Sequence, residues 1–276
     1  MKPIKIILSI IFILLLTLLT QIGGIAFLIS LTLFGLIERK IKVPWKRSLA
    51  KLFSFLLIYF VFTLGIVPFL ATALGRVPLP LFEKNHLQPA NLLTCLLNRN
   101  YVRPELRQVA FQVAEKMNQK HPGVTVNYLD ANFPFLNKFP LFPHLSHYDG
   151  KKLDLSFQYN SATLNQATNE VPSWIGYGIC EEPKAGEEDI AGYCASQGYW
   201  QYGWLRRAVP QTNKANFKFN ELRTKDLVNA FASEKAIARI FIEPHLKKRL
   251  KLTSEKIIFH GFHAVRHDDH IHVQLK

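Results

Sequence analysis

Ile6 to Ile37 carries no charged side chain, and this run restricts the chain more than any other stretch. As one helix it would be about 48 Å long, against a hydrocarbon core of about 30 Å. A single straight span is too long unless it is strongly tilted. Gln21-Ile22-Gly23-Gly24 sits near the middle. It reads either as the turn of a tight hairpin of two short spans or as a polar flaw in one long helix. Glu38 to Lys51 follows, with Arg39, Lys40, Lys42, Lys46, Arg47 and Lys51 around Pro44-Trp45. So many basic residues in a short loop mark the cytoplasmic side of a membrane. Leu52 to Leu74 is the next apolar run and suits one span. The chain is therefore expected to cross outward after Lys51, leaving everything beyond about Arg76 outside the cytoplasm. Three spans also keep Lys2 and Lys5 inside, which favours three over two. A cleaved signal peptide is the competing reading. It is disfavoured because the run far exceeds the usual apolar core of about 7–15 residues, and no small-x-small site precedes the basic loop.

Charge divides the same way. The net charge is +14. Residues 1–76 hold nine Lys and Arg and one acid, and residues 77–276 hold 25 and 19. Two parts are expected: a membrane anchor, 1–76, with its cytoplasmic basic loop at 38–51, and an extracytoplasmic domain, 77–276. The second is long enough to bury a sizeable core. Mild basicity beside a membrane suits an anionic partner such as cell-wall polymer or lipid headgroups. Nucleic acid is not expected, because there is no basic-aromatic stripe and no nucleic-acid motif.

In the second part, Pro104 followed by Leu106, Val109, Val113 and Met117 predicts a helix over 105–120, ended by His121-Pro122-Gly123. Val124 to Leu129 alternates as a strand. Residues 84–103 read as loop and short helix, and 132–143 as an irregular Pro- and Phe-rich loop. Leu153, Leu155 and Phe157 alternate with Asp154 and Ser156. Residues 160–215 read as loop. Helices are predicted at 224–233 and 244–251, and strands at 236–242 and 256–259. The mixture lacks a regular βαβ rhythm. It argues α+β, with a small antiparallel sheet, flanking helices and long loops, preceded by transmembrane helices. Cys180 and Cys194 would close a loop of about 15 residues, and a disulfide is expected between them outside the cytoplasm. Cys95 is left unpaired.

The chemistry gathers in two places. Five of the ten histidines lie between His260 and His272. The end of the chain, His267-Asp268-Asp269-His270-Ile271-His272-Val273-Gln274-Leu275, alternates like a strand. It sets His270 and His272 on one face and Ile271, Val273 and Leu275 on the other. His144 and His147 precede a turn at Asp149-Gly150, after which Asp154 sits on the open face of its own strand. A catalytic zinc site wants three N or O ligands and one position for water. His147, Asp154 and one histidine of His270-Ile271-His272 supply that set. Bare alternation does not rank His270 against His272.

The pattern Ser146-His147-x-x-Gly150-x-x-x-Asp154 and the pair His270-x-His272 resemble the two signatures of zinc peptidases of the lysostaphin, D-Ala-D-Ala metallopeptidase and sonic hedgehog group. The segment is most similar to penicillin-insensitive murein endopeptidases. These carry a His-x-x-His before the aspartate, as His144 and His147 do here, and a terminal motif like His267, His270, His272 and Val273. Arg239 to Leu250 also resembles their stretch before that motif. The resemblance covers roughly 140–276. It implies zinc on His147, Asp154 and His272, with His144 a further ligand or an outer neighbour. It implies His270 as the catalytic histidine, assisted by His267. The implied partner is the peptide stem or cross-link of peptidoglycan, and the implied place is the outer face of a bacterial cytoplasmic membrane. The activity would be a murein D,D-endopeptidase. The alternatives are a D,D-carboxypeptidase of stem peptides and a non-catalytic wall-binding domain of the same fold. Three departures bear on substrate: Lys151 and Lys152 before Asp154, a segment at 160–215 with no counterpart, and the membrane tether.

Overall fold

The computed structural model describes residues 3–276. Lys2, which the three-span expectation uses, lies outside the described residues. The apolar run is broken where the glycines stand. Helix α1 (Pro3–Thr20) and helix α2 (Gly23–Lys40) are separate, joined by a turn in which Gln21 adopts φ 66°. At 18 residues each is about 27 Å long, but the apolar stretch of α1 is only Ile6–Thr20 and α2 ends in the charged residues Glu38, Arg39 and Lys40. They pack antiparallel. Phe12 meets Phe27 edge to face at 4.9 Å, and a Cβ on Gly24 would lie 2.1 Å from Thr17 Oγ1. Glycine is needed there because the two helices approach too closely for a side chain. Helix α3 (Pro44–Val61) runs through a π-helical turn, Phe62–Ile66, into α4 (Val67–Ala73). The wide turn lies just ahead of Pro68, which has no N–H to give the preceding turn. Among the described residues one helix, Pro44–Ala73, is long and apolar enough to cross a membrane, where the sequence led us to expect two or three.

The remaining elements follow in chain order: β1 (Val77–Pro78), β2 (Leu87–Pro89), α5 (Leu92–Leu96), β3 (Tyr101–Val102), α6 (Pro104–Lys120), β4 (Val126–Tyr128), β5 (Lys152–Ser156), β6 (Tyr159–Ser161), β7 (Ala167–Thr168), α7 (Ile190–Ser196), α8 (Trp200–Ala208), β8 (Phe217–Phe219), α9 (Glu221–Ser233), β9 (Ile237–Phe241), α10 (Pro244–Arg249), β10 (Ile257–Ile258) and β11 (His270–Leu275). The mixed α+β class stands, but the sheet is not single, small and antiparallel. Among the described residues, β1 pairs with β3, and a six-stranded sheet runs β10-β9-β11-β5-β4-β2. A three-stranded sheet runs β7-β6-β8. The six-stranded sheet is mixed because helices intervene. α6 carries the chain over from β2 to a parallel β4, and α10 does the same between β9 and β10.

The apolar faces close one core. Leu153, Leu155 and Phe157 from the β5 region join Ile271, Val273 and Leu275 from β11. Against them lie Leu106, Val109, Val113 and Met117 of α6 and Leu227, Val228 and Phe231 of α9. Each such side chain contributes about 1.5–3 kcal/mol of hydrophobic stabilisation. β11 pairs with β5 on one side and β9 on the other, so its position is fixed twice. Two further expectations fail. Residues 160–215 are not all loop, since α7 and α8 form there. Asp189 caps α7 by accepting from Gly192 N at 2.7 Å. Cys180 and Cys194 are both free and buried, as is Cys95, so the expected disulfide is not made. Cys194 turns inward from α7 to pack with Ile190 and Tyr202 instead.

The helical hairpin is stitched to the domain by polar contacts. Asn98 Nδ2 donates to Tyr59 Oη at 3.2 Å and to Thr20 O at 3.5 Å, and Tyr59 Oη donates to Leu96 O at 2.5 Å. Gln21 Oε1 accepts from Phe135 N at 2.8 Å. Just past the last helix, buried Arg76 donates to Phe133 O, to Asn137 Oδ1 at 2.6 Å and to Tyr148 O at 3.0 Å. Arg76 thereby clasps both ends of the segment that carries His144 and His147.

Candidate metal centre

Sheet register builds the centre. His272 on β11 stands directly opposite Asp154 on β5, and cross-strand partners bring their side chains together. His272 Nδ1 lies 2.9 Å from Asp154 Oδ1. The segment between β4 and β5 brings the third member. His147 Nδ1 donates to Ala131 O at 2.5 Å, because a carbonyl can only accept. Its Nε2 then offers a lone pair in the neutral ring. That atom lies 3.0 Å from His272 Nδ1 and 3.3 Å from Asp154 Oδ1.

Three buried donors therefore converge within 2.9–3.3 Å. They cannot all satisfy one another, since His272 Nδ1 has one proton to give and two acceptors to meet. Tetrahedral ligands about 2.0 Å from a metal stand about 3.3 Å apart, which is the spacing seen. The donor set, two imidazoles and a carboxylate without thiolate, suits zinc and similar borderline cations rather than thiolate-seeking ones. These buried His and Asp groups can hold a metal ion.

The electrostatics agree with that role. Burial would raise the Asp154 carboxyl, but the imidazoles of His147, His270 and His144 outweigh it and hold it well below the ordinary carboxylate range. Burial pushes His272 down to about 3, so its ring is neutral and its lone pair available. His267 is likewise pushed well down by burial and by His270 and His272. His270 goes the other way, to about 9. Burial alone would lower it, and Asp154 and Asp269 together overcome that.

The other oxygen of Asp154 faces a second group. Tyr177 Oη donates to Oδ2 at 2.8 Å and itself accepts from Asp130 N at 3.0 Å. His144 Nδ1 lies 3.4 Å from Oδ2, and also 3.2 Å from Asp130 Oδ2. His270 Nε2 lies 3.8 Å from Oδ2. This set is looser than the first and already shares protons with Asp130 and Tyr177, so the first is the better cage. His270 Nδ1 is held by Asp269 Oδ1 at 2.5 Å, and Asp269 Oδ2 accepts from Gly178 N at 2.6 Å. The Nε2 atoms of His144, His270 and His272 have no hydrogen-bond partner among the described residues. A cavity of about 110 Å³ lined by Asp130, Tyr177, Arg99 and Leu205 lies beside the cluster.

All six sequence-expected site residues come together here. His147, Asp154 and His272 form the tight triangle. His270 and His144 stand one step out, and the His267 ring lies 4.8 Å from that of His270. The strand face expected to be open is covered, by the 130–150 segment, by the chain around Tyr177 and by the stretch from His260 to His267. Three side chains of the cluster are not singled out by the sequence. Asp269 stands beside the histidines, but its spacing alone points to no role. Asp130 and Tyr177 carried no local signal, since each acts across a turn of the fold. No family model matches this chain, and a search of curated proteins finds no similar sequence.

Proposed function

We propose that this chain is a membrane-anchored zinc metallopeptidase that hydrolyses D-amino-acid peptide bonds of peptidoglycan as a murein D,D-endopeptidase. The observation that carries the reading is the triangle of His147, Asp154 and His272 with His270 beside it, its ring held by Asp269. Held by His147, Asp154 and His272, a zinc ion would supply Lewis acidity and would lower the pKa of a water to about 7. The chain's own side chains do the rest. His270 Nε2, oriented by Asp269, would handle the proton: a cation bound beside it would oppose the rise to about 9 and free the ring to accept one from the attacking water, and the protonated ring would then serve the developing oxyanion and leaving amine. Tyr177 and Asp130 keep Asp154 in place, and His267 packs behind His270. In this reading α1, α2 and α3–α4 are three spans, the basic residues 38–51 face the cytoplasm, and the metal centre lies outside a bacterial cytoplasmic membrane.

Digestion of purified peptidoglycan by the full chain in detergent tests the reading, with metal content measured on the same sample. The expected result is about one zinc per chain and release of cross-linked muropeptides, lost in His270→Ala while zinc stays bound. Release of terminal D-alanine alone would make it a carboxypeptidase. A metal-free, folded and inert protein would overturn it. A reporter fused after Lys276 should be active only outside the cytoplasm.

A further inference from the structure

The three-stranded sheet β7-β6-β8 borders a second cavity that shares no residue with the metal cluster. Its volume is about 550 Å³, inside the range of about 300–1,000 Å³ usual for small-molecule sites. Its lining is chemically narrow. Amides and hydroxyls dominate, Glu170 is the one charged side chain, and there is no Lys, Arg or His. Phosphates and other anions, which need cationic donors, do not fit such a wall.

The amides are already fixed in place. Asn127 accepts from Gln88 Nε2 at 2.8 Å and donates to Asn169 O at 2.7 Å. Asn169 accepts from Thr125 N at 3.0 Å and donates to Gly123 O at 2.9 Å. Asn213 donates to Pro172 O at 2.9 Å and accepts from Asn216 at 2.8 Å. An amide oxygen has two lone pairs, so acceptor capacity is left over on this wall. Ser173 is 3% exposed, and its Oγ has no hydrogen-bond partner among the described residues. A buried hydroxyl without a hydrogen bond is costly, so this one calls for a group from the cavity. Next to it, Trp174 is 70% exposed. Phe217 completes the aromatic part of the lining.

A bare indole face beside neutral, preorganised donors and acceptors matches a ligand with an apolar ring face and a rim of hydroxyl and amide groups. We infer that this cleft binds an uncharged N-acetylated saccharide, with a pyranose ring on Trp174 and its polar rim met by Ser173 and the asparagines. As a binding site it needs no metal. As a guide to substrate it rests on the wall-peptidase reading, because only there does a saccharide carry the peptide to be cut. The chain ties the two places together. Ser173 O accepts from Gly176 N at 2.9 Å, closing a tight turn, and Tyr177 then reaches Asp154. Gly176 has φ +84°, and a Cβ there would lie 2.1 Å from Leu129 Cδ2, so only glycine lets the turn seat against β4's end.

Calorimetric titration of the full chain, in a detergent without a sugar headgroup, with the tetramer of N-acetylglucosamine tests this. Saturable binding is expected. It should weaken about tenfold or more in Trp174→Ala and in Asn213→Ala, both at exposed positions that leave the fold intact. Zinc content should not change in either variant. Cellotetraose, which lacks the N-acetyl groups, should bind less well. No binding at millimolar tetramer, undiminished binding in both variants, equal binding of cellotetraose, or stronger binding of a capped neutral tetrapeptide would each overturn the inference. Sugar binding by a chain that holds no zinc and cuts nothing would remove the peptidase reading and leave this one standing. Muropeptide release without sugar binding would do the reverse.

Discussion

Replacing Tyr177 by Phe deletes one oxygen and leaves the ring that fills the space. That oxygen donates to Asp154 Oδ2 at 2.8 Å and accepts from Asp130 N at 3.0 Å, and both partners are buried. A hydrogen bond to a charged acceptor contributes about 1.5–3 kcal/mol, and an orphaned buried N–H costs about 1–3 kcal/mol. The two losses share one atom and do not add fully, so Tyr177→Phe should destabilise the metal-free chain by about 2–4 kcal/mol. The effect on metal binding is separate. Asp154 loses the donor that fixes its plane, and loss of such an outer partner weakens metal affinity about 10–100-fold. Competition with a zinc-chelating dye measures the affinity, and thermal melts with and without zinc measure the stability. Tyr128→Phe is the control. Tyr128 is equally buried, and its hydroxyl donates to Pro80 O at 2.6 Å, but it belongs to the apolar core. It should lower the melting temperature and leave zinc affinity unchanged. Wild-type zinc affinity in Tyr177→Phe, or an equal loss in Tyr128→Phe, would refute the idea that Tyr177 acts through Asp154.

Arg76→Leu should weaken zinc binding about tenfold and expose residues 133–148 to protease, because three acceptors on that segment lose their donor. Arg76→Lys should not restore it, since one ammonium cannot replace the guanidinium fork; full rescue by lysine would count against the clasp. Asp226 gives a pH signature. Burial would raise its carboxyl, but hydrogen bonds from Lys120 at 2.7 Å and His121 at 2.8 Å prevail and hold it below the ordinary range. The folded state thus gains stability above the unfolded pKa of about 3.9 and loses it as pH falls through the lower folded value. Melting curves of wild type and Asp226→Asn should differ at pH 6 and converge in acid; a constant difference would remove Asp226 as the cause. Gly24→Leu should force α1 and α2 apart. A Phe12→Cys, Phe27→Cys pair should cross-link in the parent background and fail to do so with leucine at 24, and equal yields would contradict the close packing.

The long periodic elements were legible because burial acts on their own sequence. Val109, Val113 and Met117 write α6, and the alternations around Asp154 and His272 write β5 and β11. β2 was not legible: it spans three residues ending in Pro89 and is a strand only because β4 lies alongside. α7 and α8 are too short and too rich in Gly, Tyr and Trp to show a period. At the candidate metal centre, His147, Asp154 and the pair His270-x-His272 could be read from the turn after His147 and the two strand alternations, while the choice of His272 over His270 came from the family resemblance alone. Asp130 and Tyr177 could not be read. They reach Asp154 only after β4, β5 and the turn at Gly176 are in place, and nothing adjacent in sequence announces that meeting. The disulfide expectation failed for a related reason. Spacing measures how far a chain can reach, whereas α7 decides which way Cys194 points.

If the proposed topology holds, the contacts of Asn98, Gln21 and Arg76 turn the bilayer into a ruler. A head on a slack tether samples a hemisphere, and its reach grows with tether length. Here Tyr59 and the turn after α1 grip the head itself, and no loose linker lies between the last helix and β1. In the proposed topology the histidine cluster then works at one height and one orientation above the lipid. On the proposed wall-peptidase reading it would meet only the layer of wall that passes through that plane. Lengthening the chain at 74–76 would not simply extend its range, because it would pull Arg76 out of the clasp that shapes the centre.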